Sequence, residues 1–365
     1  MECYVCDTLC ADQAKRWEEF VAASPSRHYK QAPRWAEVER RDDRFEVRRP
    51  LYFWCESDGE LVLTGLAVRR RLPGTRYSFY EFNRGPVFRD QEILNDWLEW
   101  ALPTLRRDAV RLRLAPQWLL AEGGDDVETV LERHGFRRRR MMGMWSTLLV
   151  DISANEDAVL HGFRRQARQN IAKCQKAGLT VLAEVDDAGC ETLSGMHADM
   201  ALRVGVRPLP VSAIERVSRC WANDGADGTV LIARENDRPV SGALVISYAG
   251  TAYLQTMASA TDHGGLPTSH LLVWEVIRWA KAHRCDVMDF CGYSLVAQPG
   301  ESLAGVNQFK RGFAPGTEPT RLVAPHEILL RPVLHEVYAA ARRAETKYRR
   351  RRDGRTQGRE SPRES

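Results

Sequence analysis

Two stretches decide the fold: DGELVLTGLAV, Asp58 to Val68, and NDRPVSGALVI, Asn236 to Ile246, 178 residues further on. Each reads as a tight turn feeding a strand, with alternating apolar positions and small residues in step. Working outward, the same offset holds for other elements. The apolar helix around Trp97 to Ala101 matches the one around Glu275 to Trp279. The strand Asp108 to Leu114 matches Asp286 to Gly292, and His134 to Arg138 matches Arg311 to Pro315. A repeated strand-and-helix unit implies two similar α/β halves with mixed sheets. Clefts between halves are where small-molecule sites form.

The chain of 365 residues, 44% of them hydrophobic, is long enough for two such halves. Its net charge of +4 is mild, yet only seven of the 53 basic residues are lysines. A GC-rich genome is the plain cause, which makes arginine a weak clue and a retained lysine a better one. No stretch approaches the roughly 20 apolar residues of a membrane span. MECYVCDTLCADQAKRW lacks a basic start followed by an apolar core, so it does not read as a secretory signal. Nine scattered cysteines argue against a disulfide framework and for a reducing cytoplasm. Cys3, Cys6 and Cys10 have no second Cys or His pair nearby, so no metal is expected. Cys285 and Cys291 flank a buried-looking strand as small core residues.

The first half, residues 1–150, opens with a helix near Asp12 to Ala23 and then HYKQAPRWAEV, with Pro33 suited to a first helical turn. Strands at Phe45 to Cys55 and Glu60 to Arg71 flank the turn at Asp58-Gly59. A strand near Tyr77 to Phe82 leads into NRGPVF, and a helix from Gln91 to Arg106 follows. The second half, residues 151–325, begins with one long basic helix, EDAVLHGFRRQARQNIAKCQKAG, ending at Gly178. Three strands then precede the helix in LPTSHLLVWEVIRWAKAH, expected to carry Ser or Thr at its cap. A short helix bears VNQFKRGF. A last amphipathic helix is expected over 326–348, and a basic disordered tail over 349–365.

Central strands with a helix crossing behind the sheet suggest the acyltransferase fold of the GNAT class, present twice. HYKQAPRWAEV, NRGPVF, RRQARQNIAKCQKAGL, LPTSHLLVWEVIRWAKAH and VNQFKRGF stand in the order found in the Fem family. The chain resembles that family over about residues 15 to 345. Fem enzymes are tandem-GNAT aminoacyltransferases that build peptidoglycan cross-bridges from aminoacyl-tRNA. The chain departs from the cross-bridge enzymes of some cocci in lacking a helical-arm insertion, and so resembles the compact branch that makes single additions.

The resemblance implies amide-bond formation between an aminoacyl group and an amine of a cell-wall precursor or a small natural-product or peptide acceptor. It implies a cytoplasmic, monomeric enzyme with aminoacyl-tRNA as co-substrate and no cofactor. Such chemistry needs an oxyanion stabilised and two anionic reactants positioned. In QFKRGF, Lys310 resembles the family's lysine beside the reacting ester, and Asn307 in the same motif is grouped with substrate binding. Arg203 and Arg207 in ALRVGVRP suit diphosphate groups, and read equally as surface arginines. Arg84 precedes Gly85, where a ligand can approach the backbone; a tight turn is the equal alternative. Tyr293 follows a strand end that meets the cleft. Arg164, Arg165, Arg168, Lys173 and Lys176 form a basic run suited to tRNA phosphates or to plain solvation. His270 is a general base by type, or a packing group. Asp289 faces either the cleft or a buried arginine, while Trp35, Trp274 and Trp279 read as core.

Two other functions compete. An acyl-CoA-dependent N-acyltransferase would need a Gly-rich turn before the crossover helix; NRGPVFRDQEIL and TDHGGLPTSHLL do not supply one. A non-catalytic module binding tRNA or precursor would have no need of Lys310.

Overall fold

The computed structural model describes residues 1–42, 47–139, 145–204, 208–221, 227–261 and 265–357. The quoted hairpins sit at corresponding places in two sheets. Their turns have positive φ at both central residues, 53° and 79° at Asp58-Gly59 and 47° and 64° at Asn236-Asp237. That geometry matches the twist of the strands it joins, and Asp, Asn and Gly tolerate it best.

In the first half, β1 (Glu2–Cys6), β2 (Val47–Ser57), β3 (Glu60–Arg71) and β4 (Ser78–Arg84) pair antiparallel in that order. Before β2 come α1 (Ala11–Ala23) and α2 (Trp35–Glu39). The helix α3 (Gln91–Leu105) crosses behind the sheet, so that β5 (Ala109–Pro116) runs parallel to β4. Asp90 caps α3 by accepting from the Ile93 N–H at 3.0 Å. Leu94, Trp97, Leu98, Ala101 and Leu105 form its buried stripe. α4 (Gly124–Arg133) follows.

The second half repeats the plan with β6 (Leu149–Asp151), β7 (Thr180–Ala183), β8 (Gly228–Glu235), β9 (Arg238–Tyr248), β10 (Thr251–Ser259) and β11 (Val287–Asp289). The strand order is β7-β8-β9-β10-β11-β6, with only the β10–β11 pair parallel among these. The helices are α5 (Glu156–Gly162), α6 (Arg165–Lys176), α7 (Asp187–Val204), α8 (Val211–Trp221), the crossover α9 (Thr268–Ala282) and α10 (Ser302–Arg311). β12 (His326–Leu329) then returns to the first sheet and pairs antiparallel with β5, in the place β6 holds beside β11. α11 (Pro332–Gln357) ends the described chain. No helical arm interrupts the second half among the described residues. None of their helices is long and apolar enough to cross a membrane.

Several expectations are corrected. The basic helix is two helices, α5 and α6, broken at Phe163, whose ring is buried against Trp274 and Phe313. His326 to Leu329 is strand rather than helix, because the open edge of β5 takes it as a partner and Glu327 meets Arg113 at 3.4 Å. Helix continues through Gln357 where a disordered tail was expected from 349; arginine is a strong helix former and extends a helix already begun. Residues 358–365 lie outside the described residues. The cap of α9 is Pro267, with no side-chain cap. Cys3 and Cys55 face each other across the β1–β2 register and form a disulfide, a pair the sequence reading did not single out.

One apolar cluster joins the halves. Trp17, Tyr29, Trp35, Tyr52 and Leu66 of the first half pack with Ile214, Trp221, Ile232, Leu244 and Tyr253 of the second. The other face of the second sheet is filled by α6 and α9 through Ile171, Leu272, Trp274 and Ile277.

Candidate active site

β10 and β11 pair only from Thr251–Val287 to Tyr253–Asp289, and then part. At the same level the β9–β10 register shifts, leaving Gln255 unpaired between Leu254 and Thr256. A bulge of this kind bends its strand and re-aims side chains. The gap opens into a cavity of about 510 Å³ that reaches from Leu254 and Met257 on β10 to Phe309 and Lys310 on α10.

Beyond β11 the chain passes through Cys291 and Gly292 with φ of 48° and 79°. This turn aims two carbonyls at Lys310. The Lys310 Nζ donates to the Cys291 oxygen at 3.0 Å and to the Gly292 oxygen. Burial pulls its pKa below the ordinary 10.5, while Cys291 and Asp289 work the other way. Asp289 holds the turn from beneath. Its Oδ1 accepts from the Thr147 hydroxyl and from the Cys291 N–H, the latter at 2.7 Å. It therefore faces backbone and hydroxyl groups rather than an arginine.

The first half reaches this place through HYKQ. The Tyr29 hydroxyl meets Gln255 Oε1 at the bulge. Gln31 is fully buried and clamps two strands, donating to the oxygens of Leu66 at 3.2 Å and Asn83 at 2.8 Å and accepting from the Leu66 N–H at 2.8 Å. Its neighbour Lys30 is half-buried over the rings of Tyr29 and Trp35, and desolvation followed by the charge of Arg84 lowers its pKa. Burial raises the Cys291 thiol, against the pull of Arg84, Lys310 and Lys30. Three cations from both halves thus converge on the end of β11.

A second cavity, about 320 Å³, lies on the first sheet between Arg48, Arg70, Arg111 and Arg113, with Glu39 and Glu81. Arg111 is 8% exposed and pairs with Glu81, while its Nε has no hydrogen-bond partner.

The remaining expected residues divide. Arg84 ends β4 at φ 61°, donates to Gln117 Oε1 at 2.9 Å and lies over Trp145. Asn307 brackets Ser294, accepting from its N–H and donating to its oxygen at 2.6 Å, and so ties α10 to the loop beyond β11. The buried Tyr293 accepts from Arg311 Nε at 2.6 Å and does not line the cavity. Arg203 is exposed on α7 and donates to the Ser259 oxygen at 3.2 Å. Arg207 lies outside the described residues. Arg164, Arg165, Lys173 and Lys176 are exposed. Arg168 instead caps the break between α5 and α6, bonding the oxygens of His161 and Phe163. His270 packs on Phe309 and Phe313 and meets Asn170, and burial lowers its pKa.

Sequence reasoning did not single out Lys30, Gln255 or the arginine-lined cavity. Lys30 was open to the argument used for Lys310, a lysine kept in an arginine-rich chain. Gln255 had no such signal, since a bulge is a property of pairing.

Residues 161–311 match the family model described as an acetyltransferase (GNAT) domain. Lipid II:glycine glycyltransferase of Staphylococcus aureus (strain MRSA252) is 23% identical over 219 residues, 57% of this chain and 51% of that protein. The chain thus spans about half the length of the curated relatives it matches. The crystal structure of FemX superposes with a TM-score of 0.75 at 18% identity, over 92% of this chain and 99% of that one. A tandem GNAT protein from the clavulanic acid biosynthesis pathway gives 0.55 at 13%, covering 90% and 99%. Residues 161–311 are thus a GNAT-type domain, and along nearly its whole length the chain has the two-unit fold of FemX and of the tandem GNAT protein.

Proposed function

We propose that the protein is an aminoacyltransferase that takes its aminoacyl group from aminoacyl-tRNA and forms an amide with an amine acceptor. The observation that carries this reading is Lys310, a buried ammonium held on two carbonyls in the wall of a cavity between splayed strands. An aminoacyl ester needs no further activation. The acceptor nitrogen attacks the ester carbonyl, the C–N bond forms, the bond to the tRNA 3′ oxygen breaks, and the proton lost by the amine ends on that oxygen. The cation of Lys310 stabilises the intermediate oxyanion, an effect typically worth about 3 kcal/mol for one donor.

The acceptor is proposed to be a cell-wall precursor, as the relatives' name suggests, or a small natural-product or peptide amine. Lys30, Arg84 and the arginine-lined cavity suit its anionic groups, with Arg203 on the second half. The reaction is placed in the cytoplasm, where aminoacyl-tRNA is made, and the enzyme is taken as a monomer needing no cofactor.

The GNAT-domain match favours acyl-CoA as the competing donor. Against it stands the start of α9, where CoA phosphates would need free N–H groups. The Thr268 and His270 N–H groups already bond the oxygens of Leu266 and Pro267, at 2.9 Å each, and Pro267 has none. The test is to supply purified protein with radiolabelled aminoacyl-tRNAs and a cell extract. RNase-sensitive transfer is expected; transfer that survives RNase and requires an acyl-CoA would overturn the reading.

A further inference from the structure

The cavity beside Lys310 is larger and more apolar than an ester requires. We propose that it is a side-chain pocket, and that the transferred aminoacyl group carries a large apolar side chain. This inference rests on the aminoacyl-transfer reading. Leu254, Met257, Phe290, Val306, Phe309 and Met200 line the cavity, which has a volume of about 510 Å³. Lys310, fixed by its two carbonyl bonds, sets the reacting carbonyl at one wall, so the side chain projects toward these residues.

The polar side chains that line the pocket are Gln255, Thr256, Ser269, Ser302 and Lys310. Gln255 is bonded by Tyr29, and the Ser269 hydroxyl meets Ser259 at 2.8 Å. Among the described residues no carboxylate lines the cavity, so a cationic side chain would meet the Lys310 ammonium without a counter-ion from them. Two of the three Lys310 N–H donors are held by backbone oxygens and the third is kept for the oxyanion, so an anionic side chain would compete with the reacting carbonyl for it. Two methionines make the wall adaptable in shape. Glycine would leave the apolar walls facing water. Each methylene lost from such a pocket lowers kcat/KM by roughly 10–200-fold, so several together separate a large apolar group from glycine decisively. The curated relatives are named for glycine transfer; this pocket points to a different amino acid.

One rival occupant is the terminal adenosine, which every aminoacyl-tRNA shares and which apolar walls would also suit. Gly305 separates the two. It lines the cavity from α10, and a Cβ placed there meets no atom within 4 Å. Leucine in its place has room at its Cβ and adds bulk to the cavity wall, and it favours the helix over glycine. The experiment measures kcat/KM for leucyl-, methionyl-, phenylalanyl-, glycyl-, alanyl-, aspartyl- and lysyl-tRNA, with cell extract supplying the acceptor, for the native chain and Gly305→Leu. The native enzyme is expected to favour the large apolar group over glycine by about 100-fold or more. Gly305→Leu is expected to lose about 10-fold or more with the largest groups relative to its own alanyl transfer. Glycyl-, alanyl-, aspartyl- or lysyl-tRNA as the best native donor would overturn the proposal, as would an equal loss on all donors in Gly305→Leu. Absence of transfer from every aminoacyl-tRNA, with acyl-CoA active, would instead overturn the underlying aminoacyl-transfer reading.

Discussion

Lys310 combines burial with two carbonyl partners, so its charge is held at one point and is easier to lose than that of an exposed lysine. The ammonium is the form that stabilises an oxyanion. Turnover should therefore fall as pH rises through a pKa that burial has placed below 10.5. In Lys310→Met turnover is expected to drop by about 10² or more, with the alkaline limb gone. Circular dichroism and single-turnover rates from pH 7 to 10 check both; an unchanged limb in a folded variant removes Lys310 from the chemistry. His28 gives a prediction about stability. It is buried between Tyr29 and Tyr253, and desolvation first, then Arg84 and Lys30, hold its pKa well below 6.5. Below pH 6.5 the unfolded chain takes up a proton that the folded chain refuses, so this contribution is present above 6.5 and lost as pH falls. His28→Asn keeps a side-chain acceptor for the Lys30 N–H, which the ring nitrogen now accepts at 3.1 Å. Its unfolding free energy should depend less on pH below 6.5 than that of the native chain, as read by urea titration. An equal slope would show that other groups carry the acid sensitivity.

Among elements, the segment Tyr29–Gln31 links the two sheets: Tyr29 meets Gln255 of the second, and Gln31 clamps β3 to β4 in the first. Gly85 exists to let it in: a Cβ there would lie 2.3 Å from Gln31 Cδ. Gln31→Ala leaves buried groups of Leu66 and Asn83 without partners and should cost about 1–3 kcal/mol. Gly85→Ala should destabilise by displacing the same side chain. Because both act on one clamp, the double variant should lose less than the two single losses added together. Additive losses in a denaturant series would show the two to be independent. The paired hairpins were legible because Asp58-Gly59 and Asn236-Asp237 state their turn locally. Gln31 was not: a glutamine among apolar residues says nothing of carbonyls 35 and 52 positions away. β12 was hidden in the same way, since its helix-compatible run becomes strand only when β5 offers an edge. Leu254, Met257 and Val306 look like core residues in sequence, and only the parting of β10 from β11 turns them into cavity wall.

At the scale of the whole molecule, the basic run named in the sequence is not one surface. Arg168 bonds the carbonyls at the α5–α6 break, whereas Arg164, Arg165, Lys173 and Lys176 stand exposed on or beside α6. α6 packs on α9, and Ala167 of α6 is 3.7 Å from where a Gly312 Cβ would sit, so the run borders the helix pair that carries the cavity. On the proposed reading, a tRNA whose 3′ end enters at Lys310 would lay its phosphates along these exposed cations. Contacts with phosphates release counterions, so KM for aminoacyl-tRNA should climb with salt. Replacing Arg164, Arg165, Lys173 and Lys176 by alanine should raise KM at low salt and flatten that dependence. The rise should be alike for different tRNAs, since phosphates carry no sequence information, and kcat at saturation should hold because none of the four lines the cavity. Arg168→Ala should behave otherwise: by freeing the carbonyls of His161 and Phe163 it should lower stability and leave the salt slope in place. KM for two aminoacyl-tRNAs at several salt concentrations, measured on both variants, separates these roles. If the fourfold variant keeps the native KM and slope, the exposed cations are a solvated face and the tRNA approaches the cavity from another side.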